Sequence, residues 1–171
     1  MSVEGLPADL ERYRFIRVLG SGGLATVYLV EDIRLLRRAV MKVASAELDT
    51  SARARFYQEA AFLGRLHHPN IPALYDDGIL PDGRPFLVTE WVEGWVLAGL
   101  LDSRIPISLQ DVLSLAGAVA RALGFAHQQK VLHLDVKPAN ILVPGRGEGT
   151  RSRRRNCSTS AYSENSRRTL G

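Results

Sequence analysis

Apolar positions first alternate along the chain with a period of two. The stretches "YRFIRVLGSGG" and "ATVYLVEDI" read as two β-runs around a glycine turn, and "RRAVMKVA" adds a third, a pattern that predicts an antiparallel meander. The rhythm then changes. In "SARARFYQEAAFLGRLHH" the apolar residues Phe56, Ala60, Leu63 and Leu66 recur at helical spacing, and Pro69 lies just beyond the expected end. Two further β-runs follow, "IPALYDDGIL" and "RPFLVTEWVEG", separated by "PDG", where Pro presets φ and Gly tolerates a positive one. The expected order to this point is β-β-β-α-β-β.

Beyond Gly94 the pattern turns helical. In "SLQDVLSLAGAVARALGFAHQQ", Ser108 with Asp111 resembles a capping box, and Val112, Leu115, Val119, Leu123 and Ala126 form an apolar stripe that needs a surface to pack on. From Pro144 onward Gly, Arg, Ser, Asn and Thr dominate without apolar periodicity, and this tail reads as disordered. No internal repeat breaks this order.

Composition bounds the reading without redirecting it. A chain of 171 residues with 46% hydrophobic and 23% charged residues is sufficient for one ordinary domain with a buried core. The formal net charge of +4 owes much to Arg151, Arg153, Arg154, Arg155, Arg167 and Arg168 in the tail, so the expected folded part is close to neutral. The lone Cys157 excludes an intramolecular disulfide and any multi-cysteine metal site. The N-terminal "MSVEGLPADLERYR" has no signal-type apolar run, and no segment reaches the roughly 18 uninterrupted apolar residues of a membrane span. The expected location is the cytoplasm.

The chemistry sits in short motifs. In "LGSGGLATV", Leu19 precedes Gly20 and Gly22, Ala25 stands where a third glycine could, and Val27 follows. Such a turn is either an ordinary glycine-rich hairpin or one whose backbone must approach a phosphate chain closely. Lys42 lies near the end of the third β-run and Glu59 on the following helix. A lysine in an apolar strand needs a partner for its ammonium, and a helical glutamate opposite it both pairs with it and aims it, although each could simply be solvated. Finally "HLDVKPAN" brings Asp135, Lys137 and Asn140 within six residues.

In this order and spacing the motifs resemble the eukaryotic-like serine/threonine protein kinases also found in bacteria, from about Tyr13 to Val143. The resemblance implies an α+β fold: a five-stranded antiparallel sheet with the αC helix as small lobe over 13–93, then an incomplete helical large lobe over 94–143, flanked by a lead-in, 1–12, and the basic tail, 144–171. It implies ATP and Mg²⁺ as cofactors and protein Ser/Thr hydroxyls as acceptors. Leu19, Gly20, Gly22 and Val27 would cover ATP, with Val27 and Val40 above the adenine and Leu142 below it. Lys42 would hold the α- and β-phosphates, positioned by Glu59. Backbone groups of Glu90 and Val92 in the hinge-like "TEWVEG" would meet the adenine edge, with Thr89 behind it. Asp135 would orient the attacking hydroxyl and accept its proton, Lys137 would lie near the transferred γ-phosphoryl, and Asn140 would bind one Mg²⁺.

The sequence also departs from that pattern. Ala25 is small and tolerable. Leu134 replaces the arginine that usually precedes the catalytic aspartate, which argues against switching through a phosphorylated activation loop; simple apolar packing is the plain expectation for it. No Asp-Phe-Gly, activation loop or Ala-Pro-Glu follows Asn140, so weak or absent catalysis is expected of this chain, or a non-catalytic pseudokinase role in binding nucleotide or a partner. Read across codon boundaries, "NCSTSA" can encode Leu-Leu-Asp-Phe-Gly and "GTRSR" can encode Asp-Glu-Val-Lys, so the tail reads first as a frame-shifted kinase sequence. A natural extension ranks second. A nucleic-acid-binding tail ranks behind both, because its arginines lack interleaved aromatic residues beyond Tyr162.

Overall fold

The computed structural model describes residues 12–145; the lead-in up to residue 11 and the tail from 146, with the disorder and shifted frame expected of it, lie outside the described residues. The alternating runs become strands β1 (Tyr13–Ser21), β2 (Ala25–Asp32) and β3 (Arg37–Ala44), then helix α1 (Thr50–Leu63), then β4 (Leu74–Ile79) and β5 (Pro85–Glu90). They form one antiparallel five-stranded sheet in the order β1-β2-β3-β5-β4. Flanked by β2 and β5, β3 is the central strand, which is why "AVMKVA" is nearly continuously apolar. One cluster of buried residues includes Tyr28, Val30, Met41, Val43, Phe86 and Val88, and Met41 has no exposed surface.

Helix α1 starts where Asp49 caps it, its carboxylate accepting from the Ala52 N–H at 2.7 Å. It ends at Leu63, earlier than the run to His68 suggests. Gly64 closes the last turn, its N–H donating to the Ala60 carbonyl at 2.9 Å. Phe56 joins Ala25, Ala44 and Leu87 in a cluster that seats the helix on the sheet, with Leu63 partly buried against it. Leu66 belongs to a different cluster, with Ala126 and Val131, so it packs against the later helical segment instead of extending the helix face.

After β5 the chain forms a short strand β6 (Gly94–Val96), a short helix α2 (Leu97–Asp102), the long helix α3 (Leu109–Gln128), a 3-10 turn (Pro138–Asn140) and a strand β7 (Leu142–Pro144) that pairs with β6. Neither the β6–β7 ribbon nor α2 was legible as a separate run. Ser108 caps α3: its hydroxyl accepts from the Asp111 N–H at 3.1 Å and donates to the Asp111 carboxylate at 2.7 Å. The stripe on α3 lines, with Leu97 and Ile141, an open apolar groove of about 390 Å³. Only Ala126 of α3 is buried.

Candidate active site

Lys42 stands on the central strand β3, opposite Val27 on β2 and Leu87 on β5. Because Phe56 and Ala60 anchor one face of α1 to the sheet, the neighbouring Glu59 is carried to the ammonium. Lys42 Nζ donates to both carboxylate oxygens, at 2.8 and 2.6 Å, and lies 5.6 Å from the centre of the Phe56 ring. The lysine side chain is 11% exposed and the glutamate 35%, so the pair sits on a half-open face of the sheet where a ligand could still reach it. A buried ammonium without such a partner would be strongly disfavoured.

Leu19, Val27, Leu29 and Val40 form a small buried cluster with Trp91 packed against it. Leu19, Val27 and Val40 are thus brought together as expected; Leu29 and Trp91 were missed, and Trp91 lies in the "TEWVEG" stretch already singled out. Gly20 on β1 pairs with Val27 on β2, and Gly22 opens the β1–β2 turn and tightens it by donating its N–H to the Ala25 carbonyl at 3.0 Å. Thr89 is buried. The Glu90 N–H donates to the Ala73 carbonyl at 2.9 Å, so any backbone contribution of Glu90 to a ligand would come from its carbonyl. Val92 follows in the linker before β6, and Leu142 is a partly buried residue of β7.

Asp135, Lys137 and Asn140 form one hydrogen-bonded unit. Asn140 Nδ2 donates to the Asp135 carboxylate at 3.1 Å and to its backbone carbonyl at 2.8 Å, and Lys137 Nζ lies 3.1 Å from the same carboxylate oxygen. The Lys137 ammonium first, and the Asn140 carboxamide after it, hold the Asp135 carboxyl below the usual carboxylate range. Asp135 is therefore an anion at neutral pH. The 3-10 turn from Pro138 brings Asn140 back to Asp135.

One expectation is corrected here. Leu134 does not pack: it is 71% exposed and has φ 57°, a left-handed conformation unusual for a residue with a branched side chain. The Asp135 N–H donates to the His133 carbonyl at 2.8 Å, closing a tight turn around Leu134. Burial gain does not explain this residue. The turn presents Asp135, and the backbone strain is stored beside the carboxylate.

A second polar network, absent from the sequence reading, pins the far edge of the sheet. Arg12 bridges Asp32 at 2.9 Å and Asp76 at 2.8 Å, and the Tyr13 hydroxyl donates to Asp76 at 2.8 Å. Burial, and next the bond to Asp76, push the Tyr13 phenol well above its ordinary range. It serves the fold.

Comparison with known proteins agrees with this geometry. The protein kinase domain family profile matches residues 13–151. The chain is 38% identical to the serine/threonine-protein kinase PknB of Mycobacterium leprae, over 78% of this chain and 22% of that protein. It is 37% identical to PrkC of Bacillus subtilis, over 80% of this chain and 21% of that one. A crystal structure of the PknI kinase domain of Mycobacterium tuberculosis superposes with a TM-score of 0.67 at 31% identity, covering 80% of this chain and 55% of that chain. The fold is that of a protein kinase domain. The chain belongs to the bacterial serine/threonine protein kinase family, represented here by a partial kinase domain, and spans about a fifth of the length of the PknB and PrkC relatives.

Proposed function

We propose that the chain binds ATP between the Leu19–Val27–Val40 cluster and Leu142, and that its polar residues are those of phosphoryl transfer to Ser or Thr hydroxyls of proteins. The observation that carries this reading is the Lys42–Glu59 pair, closed at 2.6 Å, in the same chain as the Asp135–Lys137–Asn140 unit. Lys42, held by Glu59, would grip the α- and β-phosphates. Gly20 and Gly22 would let the hairpin backbone approach them, and the Glu90 carbonyl and Val92 backbone would meet the adenine edge with Thr89 behind. Asp135, kept ionised, would orient the acceptor hydroxyl and take its proton, while Lys137 would neutralise charge on the transferred group.

The donor set fits a Mg²⁺ ion only in company with nucleotide phosphates. Among the described residues no cluster of three or more His, Cys, Asp or Glu could hold a metal. Asn140, with its amide nitrogen turned to Asp135, would offer its carboxamide oxygen to the ion. A bound Mg²⁺ would neutralise charge on the phosphate oxygens.

A second reading has its own observation. No Asp-Phe-Gly follows Asn140 in this sequence, so the 171-residue chain would be weak or inactive in catalysis and would act as a pseudokinase module that binds nucleotide or a partner. We place the domain in the cytoplasm. Helix α3 is the one described helix long and apolar enough to cross a membrane, but it lies within the kinase-domain match and carries a polar face.

The test is nucleotide binding by the whole chain, followed by titration calorimetry with ATP and Mg²⁺. Lys42→Met should lower affinity at least about tenfold, the loss of one charge-assisted phosphate contact. Unchanged affinity would remove Lys42 from the site. Phosphorylation of a generic basic protein that disappears in Asp135→Asn supports the catalytic reading, whereas ATP binding without transfer supports the second.

A further inference from the structure

The strands β6 and β7 approach each other more closely at Gly94 than any other residue type would permit. A Cβ built on Gly94 would fall inside the van der Waals envelope of the Val143 carbonyl oxygen, and would lie 2.8 Å from Pro144 Cα and 2.9 Å from the Val143 carbonyl carbon. All of these are backbone atoms, so no rotamer change relieves the overlap. The reason is not a left-handed conformation, because Gly83 is the only described glycine with positive φ. Gly145, in the same ribbon, is the opposite case: a Cβ there would meet nothing closer than 3.9 Å.

What the ribbon joins gives the contact its meaning. On one side the chain has just left β5 through Trp91, Val92 and Glu93. On the other it has just left the turn that ends in Asn140. Gly94 pairs with Pro144, Trp95 with Val143 and Val96 with Leu142. The ends are tied as well: the Gly145 N–H donates to the Glu93 carbonyl at 3.0 Å and the Leu97 N–H to the Ile141 carbonyl at 2.9 Å. Asn140 in turn holds Asp135. At its other end the loop is fixed by Val131, buried with Leu66 and with Ile71 packed against them. The ribbon is the clamp at the Asn140 end.

We infer that Gly94 is a positioning residue: its missing side chain lets β7 close on the segment leaving β5, and so sets where Asn140 and Asp135 stand relative to the adenine-facing Val92. An added methyl would displace β7 by about 1 Å or more to restore ordinary contact distances. Misplacement on that scale at a reacting centre costs on the order of a hundredfold in rate. This inference rests on the ATP-site reading for its functional consequence, but not for its structural one.

The experiment therefore has two readouts on the whole 171-residue chain: amide hydrogen exchange without ligand, and binding of adenosine against ATP with Mg²⁺. In Gly94→Ala, the amides of Leu97, Asn140 and Gly145 exchange at least about tenfold faster while those of β2 and β3 keep their protection. Adenosine affinity changes less than about twofold, and the gain brought by phosphates plus Mg²⁺ falls about tenfold. Gly145→Ala matches the parent in both. Leu97→Pro is a second probe should the glycine variant fold poorly. It removes the Leu97 donor at the first position of α2, where proline is accepted, after Val96 already in an extended conformation, and keeps an apolar side chain at the rim of the α3 groove. It moves both readouts in the same direction by a smaller factor.

Parent-like exchange in both Gly94→Ala and Leu97→Pro overturns the proposal. So does an equal loss of adenosine and Mg²⁺·ATP affinity, which would make Gly94 merely structural. A parent chain that binds no nucleotide overturns the ATP-site reading instead, and the exchange comparison still decides whether Gly94 sets the loop.

Discussion

The sheet and helix α3 carry equally clear apolar patterns, yet the chain treats them in opposite ways. Met41 on β3 is fully buried between sheet neighbours, whereas Val112 on α3, an equally regular member of its stripe, is 47% exposed. Five strands and α1 cover one another's apolar faces. Apart from Ala126, buried with Leu66 and Val131, the α3 stripe meets Leu97 and Ile141 across an open groove. Periodicity announces that a face needs cover, but says nothing about which segment provides it.

The largest expected effect tests that contrast directly. Met41→Ala should cost about 3 kcal/mol in urea unfolding, the usual range for emptying a packed core site. Val112→Ala should cost less than about 0.5 kcal/mol, since its side chain makes few contacts to lose. Equal costs would break the comparison and show that the α3 face is covered in solution.

A smaller effect sharpens the account of the sheet edge. Asp32→Ala leaves Arg12 with Asp76 alone and removes a buried carboxylate that also accepts from the Arg34 and Leu35 N–H groups, each at 3.1 Å. About 2–3 kcal/mol should be lost, somewhat below the cost of breaking a fully buried pair, because Arg12 remains partly exposed. The pH dependence follows in sign. The Arg12 hydrogen bond, against the opposing effect of burial, holds the Asp32 carboxyl below its ordinary value of 3.8. Its stabilisation is fully present above that value and is lost as pH falls through the lower folded one. Acid unfolding of Asp32→Ala, followed by circular dichroism, should therefore be shallower below about pH 4 than that of the parent. An identical acid limb would remove Asp32 as a source of acid sensitivity.

How much could be read in advance follows the same division. The sheet, α1 and the Lys42–Glu59 pair were legible because each rests on a local rhythm: alternation, helical spacing, and a charge that cannot stay alone in an apolar strand. Asp135, Lys137 and Asn140 were legible as a group because they lie close in the sequence and match a known motif. The β6–β7 ribbon was not, since each of its strands is three residues long and its register depends on a contact at Gly94 that no single-chain pattern encodes. Leu134 was misread because apolar character implies burial, while its backbone serves a turn. The Arg12–Asp32–Asp76 network joins residues far apart in sequence and has no local signature. The shifted-frame reading of the tail concerns residues outside those described. Its two matching pieces are separated by three shifted codons, spanning Arg153 to Asn156, so the first does not run directly into the second.

The smallest effect separates the two regions at their helix caps. Asp49 caps α1 and Ser108 caps α3 by the same chemistry, a side-chain oxygen accepting from a first-turn N–H. Removing the α3 cap with Ser108→Ala should cost about 0.5–1 kcal/mol of helix stability. Because α3 is held by little of its surface, that loss should appear as fraying: faster exchange of the Asp111 and Val112 amides with almost no change in the main unfolding transition. Asp49→Ala acts on a helix seated on the sheet by Phe56 and Ala60, so its loss should be shared by the whole small lobe and lower the main transition. The caps also differ with acid. The Ala52 N–H, then the Ser51 hydroxyl, hold the Asp49 carboxyl below its ordinary value, so this cap persists to lower pH than an unperturbed aspartate would and is lost only as pH falls through the folded value. The Ser108 hydroxyl does not titrate, so its cap should not follow the same curve. If both variants lower the main transition alike, α3 unfolds with the sheet as one unit, and the contrast in burial does not extend to cooperativity.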